Sequence, residues 1–511
     1  MMFAAETLQG PPIEWVSLSP LLILLGGGLT LLVLGALTPR WPRGLYATFS
    51  AVVAGAAMVM SFVLWDDITD DGARTMLAGA IAFDRFSMLA TITICAAVLL
   101  ASMIADDYLR REELDGPEIY GLFLMAAIGG VVMGAANDLI VLFLGLEVLS
   151  ISLYVLAASH RRRIVSQESG IKYFVLGGFS SAFFLYGVAL IYGGSGSTNY
   201  AAILDSFTRT VQTERTDAFV LAGVALLLVG LAFKVAAVPF HFWTPDVYHG
   251  APTPVTAFMA SAAKVAAFAG MLRVLNVALP HWRDDWRPAV WLMALLTVVG
   301  GSMLAVVQTD VKRMLAYSSI SHAGFILVGV EASGHSAGEP GPGVGVSASM
   351  LYLLLYAVLV LGTFAVVTLV SRTGDAQTDL GAFRGLGASK PVLALAMTVL
   401  LLAQAGVPFT SGFIAKFGVI QAAVEERSYA IAIIAMVASV IAAFLYLRIM
   451  ISMWVSDPEP GDDAREAVRV PIGTGLAITV CVGFTLLVGF FPGWVIDASR
   501  NATLVVQSLT P

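Results

Sequence analysis

Apolar runs of eighteen or more residues recur from one end of this chain to the other, and that recurrence constrains its fold more than any single motif does. Wound as a helix, such a run crosses roughly 30 Å of hydrocarbon. Composition agrees: of 511 residues, 58% are hydrophobic and 12% charged, so ionisable groups fall between apolar runs and do not form a water-facing shell. Counting the runs predicts an all-α polytopic membrane protein of about fourteen spans, starting near residues 17, 44, 83, 119, 138, 170, 218, 252, 288, 312, 347, 390, 428 and 470. The first run has no Lys or Arg before it and reads as a span, not as a cleaved leader.

Charge and cysteine usage exclude several function classes. The net charge of -7 arises largely in loop clusters such as Asp66, Asp67, Asp70 and Asp71, and no basic patch suggests nucleic acid. Cys95 and Cys481, the only cysteines, lie inside apolar runs without partner spacing, which excludes a disulfide framework or a thiolate metal site. One set of alternate loops holds Arg40, Arg43, Arg110, Arg111, Arg161, Arg162, Arg163, Lys312, Arg313, Arg372, Arg384, Lys390, Arg465 and Arg469. The other set holds half as many basic residues, Arg74, Arg283 and Arg427 among them. The richer set is then cytoplasmic, and an even number of spans puts both termini outside.

Two interruptions break the helical pattern. The seventh span runs into Val238-Pro239-Phe240 and the twelfth into Val407-Pro408-Phe409-Thr-Ser-Gly412. Proline removes a donor and clashes with the preceding turn, so the helix must bend or open there, and open backbone at membrane depth survives only where protein or water satisfies it. The two Val-Pro-Phe elements stand 169 residues apart, as do Ser150-Ile-Ser152 and Ser319-Ile-Ser321. That shared offset predicts two five-helix repeats, spans 4–8 and 9–13; five being odd, the second copy enters the membrane inverted. Ordinary proline kinks without a repeat are the alternative. The expected divisions are residues 1–118, 119–280, 288–455 and 456–511.

Five charged residues fall well inside spans: Glu147, Lys172, Lys234, Lys264 and Lys416. A lysine at the centre of an inserted helix costs about 2.5 to 3.5 kcal/mol. Snorkelling accounts for Arg85, Arg273 and Arg448, which lie near span ends, and fits Lys172 as well as function does; Lys264, mid-run, it cannot explain. A carboxylate about 4 Å from an ammonium contributes roughly 4 kcal/mol at an effective dielectric of 20, enough to decide whether a buried amine keeps its proton. Glu147 near Lys234 would therefore act as a switch, and a file of lysines bridged by water would pass a proton along. His322, in Ser-Ile-Ser-His322-Ala-Gly, is a further carrier or a hydrogen-bonded packing group. His241, Asp246 and His249 flank the first break, where capping and interfacial anchoring explain them equally well.

Several stretches carry a family resemblance beyond spacing. Lys172-Tyr-Phe, Pro245-Asp-Val-Tyr-His-Gly-Ala-Pro-Thr-Pro254, Lys264, Leu315-Ala-Tyr-Ser-Ser-Ile-Ser-His-Ala-Gly324 and Gly406-Val-Pro-Phe-Thr-Ser-Gly-Phe-Ile-Ala-Lys416 resemble the subunit N family of NADH-quinone oxidoreductase, respiratory complex I, among the antiporter-like membrane subunits. The resemblance covers roughly residues 80 to 455. It implies fourteen helices with the inverted repeat, and a proton relay of Glu147, Lys234, Lys264 and Lys416, with Lys172 and His322 as auxiliaries. It also implies a proton-translocating subunit of a bacterial cell membrane, seated in the bilayer beside other membrane-arm subunits, including a neighbouring antiporter-like one. Quinone reduction elsewhere would drive it, with FMN, iron-sulfur clusters and the quinone site in other subunits and no cofactor or metal bound here. A subunit of a related multi-subunit cation/proton antiporter is the alternative.

Overall fold

The computed structural model describes residues 13–38, 41–209, 214–338, 343–456 and 468–505; Arg40 and Arg465 of the basic loop set lie outside them. Helices α1 (Ser19–Leu37), α2 (Leu45–Asp71) and α3 (Arg85–Arg111) come first, with a two-stranded hairpin, β1 (Arg74–Met76) and β2 (Ile81–Phe83), between the last two, Thr75 opposite Ala82. Next follow α4 (Pro117–Ala135), α5 (Leu139–Ala157), α6 (Ile164–Ser195), the short α7 (Tyr200–Arg209), α8 (Glu214–Val235) and the short α9 (Trp243–Gly250). The eighth crossing runs from Thr253 to Ala278 as α10 (Thr253–Phe258), a π-helical turn at Met259–Ala263, α11 (Lys264–Arg273) and a second π turn at Val274–Ala278. Beyond it lie α12 (Arg283–Val306), α13 (Val311–Ser333), α14 (Val344–Val370), the single turn α15 (Leu386–Ser389), α16 (Pro391–Ala405), α17 (Ser411–Glu425), α18 (Tyr429–Trp454), α19 (Ile472–Phe490) and α20 (Gly493–Asn501).

Among the described residues thirteen helices are long and apolar enough to cross a membrane. The remaining expected crossing, the twelfth, is shared by α16 and α17, fifteen residues each, which flank Gly406–Thr410. Local chemistry fixes the helix starts. Asp84 closes a capping box on α3, Asp138 and Asp310 cap α5 and α13, and Pro117 and Pro391 occupy first-turn positions that lack an intrahelical acceptor anyway.

Depth in the bundle follows from which helices have apolar or small residues on all sides. The Thr253–Ala278 crossing is wholly buried and α13 and α14 nearly so, whereas α1, α6, α12, α18 and α19 turn most of their surface outward. Small residues let the backbones meet. A methyl at Gly129 of α4 would lie 2.4 Å from the Leu149 nitrogen of α5, and one at Gly324 of α13 would lie 2.4 Å from the Val298 nitrogen of α12. The sequence of three long helices, a broken crossing and another long crossing occurs twice, in α4 to α11 and in α12 to α18.

Candidate functional site: buried lysines at interrupted helices

Each of the three central lysines stands where helical hydrogen bonding is disturbed. Lys234 occupies the last turn of α8, two residues before Ala236, which has a positive φ of 62°, and ahead of the break at Pro239. Lys264 follows the π turn of the eighth crossing, an insertion of the kind that re-aims a side chain within a helix. Lys416 lies on α17 and reaches back across the second break. All three are interior, with 6%, 2% and 5% of their surface exposed.

Around Lys234 the walls are aromatic. Its ammonium sits 5.3 Å from the Tyr154 ring centroid and 5.1 Å from that of Tyr173, a cation–π cradle, and Tyr173 stacks on Trp243 at 4.5 Å. Glu147, two turns before Tyr154 on α5, acts electrostatically on both Lys234 and Tyr154. Yet Glu147 Oε1 and Lys234 Nζ are both buried without a hydrogen-bond partner among the described residues. The carboxylate and ammonium are thus coupled through space without a direct bond. Unpaired buried polar atoms at such a spot are the sort that ordered water satisfies.

A second cluster joins the other two lysines. Lys264 Nζ donates to the Ser319 carbonyl of α13 and stands 5.8 Å from the Tyr356 ring centroid. One turn on, His322 is held from both sides: Nδ1 lies 2.6 Å from the Tyr352 hydroxyl and Nε2 3.2 Å from that of Tyr446. The Tyr446 hydroxyl meets Ser318 Oγ at 2.7 Å. Lys264 and Lys416 both act electrostatically on His322, so the imidazole is within reach of both charges. Lys416 Nζ donates to the Ala405 carbonyl at 3.0 Å and to Ser439 at 2.9 Å, above the Phe325 ring. Ala405 ends α16, so the ammonium caps the negative end of a half-helix.

Lys172 stands apart from these clusters. It is two-fifths exposed and pairs with Glu168 at 2.6 Å and with Asp246 at 2.8 Å, and Asp246 in turn binds Arg313 at 2.9 Å. With His249 these groups line a small cavity of about 100 Å³ at the bundle's edge. His249 Nδ1 meets Asp310 at 3.1 Å, and His241 is buried with Nδ1 unpaired. Burial works to raise the Asp310 carboxyl, but His249, Thr378 and the Arg313 amide together hold it below the ordinary carboxylate value.

Two buried ion clusters escape a reading by position. Arg273, expected to snorkel from a span end, is fully buried instead and makes a bidentate pair with Asp84 at 2.7 and 2.8 Å, with a further bond to the Gly134 carbonyl. Its partner lies 189 residues earlier, and no local pattern signals it. Lys312, counted among the loop cations, is likewise fully buried, 3.4 Å from Asp375, which also binds Arg163, Thr253, Ser371 and Tyr108. Burial pushes the Asp375 carboxyl up, but Lys312 and Arg163 outweigh it and hold the group below the usual carboxylate range. Arg448 does reach a span end, to the carbonyls of Val306 and Gln308, and Arg85 lies over Trp65 at the start of α3. No group of three or more His, Cys, Asp or Glu side chains suited to a metal ion occurs among the described residues.

Residues 136–442 match the family described as NADH:quinone oxidoreductase/Mrp antiporter, TM. The chain is 41% identical to NADH-quinone oxidoreductase subunit N of Rhodococcus opacus (strain B4), over 98% of both chains. The chain belongs to the subunit N family of NADH-quinone oxidoreductase. A chain of respiratory complex I from Thermus thermophilus, solved with bound aureothin, superimposes with a TM-score of 0.78 at 31% identity, covering 94% of this chain and 99% of that one. A chain of the Mrp complex from Dietzia sp. DQ12-45-1b reaches a TM-score of 0.82 at 22% identity, over 96% and 97% of the two chains, a likeness of fold. Subunit N membership thus rests on sequence as well as shape, and the all-α polytopic fold expected from the apolar runs is the fold of this family.

Proposed function

We propose that this subunit N chain translocates protons in the membrane arm of an NADH:quinone oxidoreductase, through Glu147, Lys234, Lys264, His322 and Lys416. The observation that carries the reading is the placement of three buried lysines at interrupted helix segments, two of them within electrostatic reach of His322. Nothing in helix packing calls for such positions, and each costs about 2.5 to 3.5 kcal/mol. In the proposed cycle a displacement of Glu147 changes the field at Lys234, whose proton moves through water to Lys264. Repulsion then sends a proton past His322 to Lys416. Against about 2.3 kcal/mol per charge per 100 mV, the roughly 4 kcal/mol of a close carboxylate–ammonium pair is sufficient. Lys172, with Asp246 and the small cavity beside it, would feed or drain the file from its edge.

The partially exposed Glu147 lies on the α5 face that also carries Leu144, Val148 and Ile151, all exposed, and a neighbouring antiporter-like subunit would dock there. FMN, iron-sulfur clusters and quinone belong in this reading to other subunits. The bacterial plasma membrane, both termini outside, and inverted repeats over 119–280 and 288–455 complete it. The test is NADH-driven, quinone-dependent proton uptake into inverted vesicles carrying Lys234→Met, with assembly checked on a native gel. An assembled complex with collapsed coupled turnover supports the relay; unchanged oxidation and acidification would overturn it. Absence of redox subunits from the purified complex would favour the antiporter reading.

A further inference from the structure

Independently of the relay, two adjoining cavities on the outer side of α2 and α3 point to a ligand. One is an apolar groove of about 910 Å³ that follows α2 from Gly44 past Gly55 and Val59 to Val63, walled by α3 and closed at one end by Asp106 and Gly473. Nineteen helical residues separate Gly44 from Val63, about 28 Å, close to the thickness of the hydrocarbon layer. The other is a cavity of about 970 Å³ lined by Arg43, Arg110, Arg111, Arg372 and Arg469 against only Asp107 and Asp115. The two meet. Gly44 of the groove follows Arg43 of the pocket, Asp106 of the groove pairs with Arg110 of the pocket at 2.5 Å, and Gly473, in the first turn of α19, lies four residues beyond Arg469.

Arg110 and Arg111 have carboxylate partners, but Arg43, Arg372 and Arg469 have no ion pair among the described residues. Three unneutralised guanidiniums around one cavity call for a divalent or phosphate-type anion, since guanidinium matches phosphate oxygens in a bidentate fork. An apolar trough of bilayer depth leading from that cavity calls for acyl chains. All five arginines belong to the loop set that the positive-inside rule puts on the cytoplasmic side, where anionic lipid headgroups lie. We propose that this is a binding site for an anionic glycerophospholipid, its phosphodiester among Arg43, Arg372 and Arg469 and an acyl chain along α2 past Gly55.

The test uses the assembled complex, stripped with detergent and then equilibrated with phosphatidylcholine vesicles containing phosphatidylglycerol labelled in its phosphate; the label retained after washing is measured. Wild type should retain phosphatidylglycerol and not exchange it for phosphatidylcholine. The triple variant Arg43→Gln/Arg372→Gln/Arg469→Gln removes no ion pair among the described residues, and its affinity should fall on the order of a hundredfold. Gly55→Leu leaves every arginine in place and fills the groove, the nearest atom to its Cβ being Leu99 Cδ1 at 3.6 Å. It should lose the lipid too, and inorganic phosphate should not compete. Absence of retention by wild type, or equal retention by all three proteins, would overturn the proposal. Competition by inorganic phosphate with Gly55→Leu unaffected would reduce the site to an anion pocket. Failure of Gly55→Leu to join the complex would put a protein helix, not a lipid, in the groove.

Discussion

Lys416 donates a hydrogen bond to the carbonyl of Ala405 at 3.0 Å, so a single broken crossing supplies both the cation and the half-helix end that receives it. Gly406, next in the chain, has a φ of +90°, and a β-carbon there would lie 2.9 Å from Lys416 Cδ. Gly406→Ala therefore meets backbone strain of about 1 to 3 kcal/mol and displaces the lysine side chain as well. The complex should assemble with quinone-linked proton uptake reduced several-fold. Uptake equal to wild type, measured in inverted vesicles, would remove Lys416 from the path.

His322 is clamped between two tyrosine hydroxyls, which fixes its ring and both nitrogens. Tyr446→Phe deletes one clamp and leaves Ser318 with only its longer contact to Gln404 at 3.4 Å. A buried polar group so deprived costs about 1 to 3 kcal/mol, and a barrier higher by roughly 1.4 kcal/mol slows turnover tenfold. If His322 carries protons, Tyr446→Phe and His322→Gln should each slow coupled turnover, and the double variant should be no slower than His322→Gln alone. Additive losses in that double-mutant cycle would make the histidine a packing group.

The spans, both breaks and the three buried lysines were legible because burial in lipid leaves a composition signal some twenty residues long. Predicted starts at 44, 138, 252 and 428 fall within one residue of the helices at Leu45, Leu139, Thr253 and Tyr429. What could not be read was pairing over distance. Arg273 and Lys312 sit near helix ends in sequence, and only the fold brings Asp84 and Asp375 to them. The π turn before Lys264 has no residue signature, since Met259–Ala263 is ordinary helical sequence. The matching offset of Pro239 and Pro408 also hid an asymmetry: Lys234 precedes its break and Lys416 follows its own. The tyrosines around Lys234 and His322 look, in one dimension, like any aromatic residues of a membrane helix.

Arg273→Met tests the first of these distant pairs. Among the described residues it removes the only basic partner of Asp84, whose carboxylate also accepts from the Val505 amide and from Ser87 at the start of α3. Leaving a buried charge alone costs about 3 to 5 kcal/mol, so the variant should lower the melting temperature or the yield of assembled complex. Arg273→Met with Asp84→Asn should recover part of that loss. Equal stability of wild type and Arg273→Met on a thermal shift assay would make the pair dispensable.

Asp375 sets a pH dependence whose sign follows from its partners. Burial alone would raise its carboxyl, but Lys312 and Arg163 hold the folded-state value below the ordinary one. A group depressed on folding contributes stability that is present above its unfolded value and disappears as pH falls through the folded one. The wild-type complex should therefore lose melting temperature on the acid side, below the usual carboxylate range, and not between neutral and mildly acidic pH. Asp375→Asn should flatten that acid limb. At neutral pH it should also destabilise by about 3 to 5 kcal/mol, because Lys312 is left buried without its ion-pair partner. An unchanged acid limb in Asp375→Asn would assign the pH dependence to another carboxylate, for which Asp310, held low by His249 and Thr378, is the next candidate.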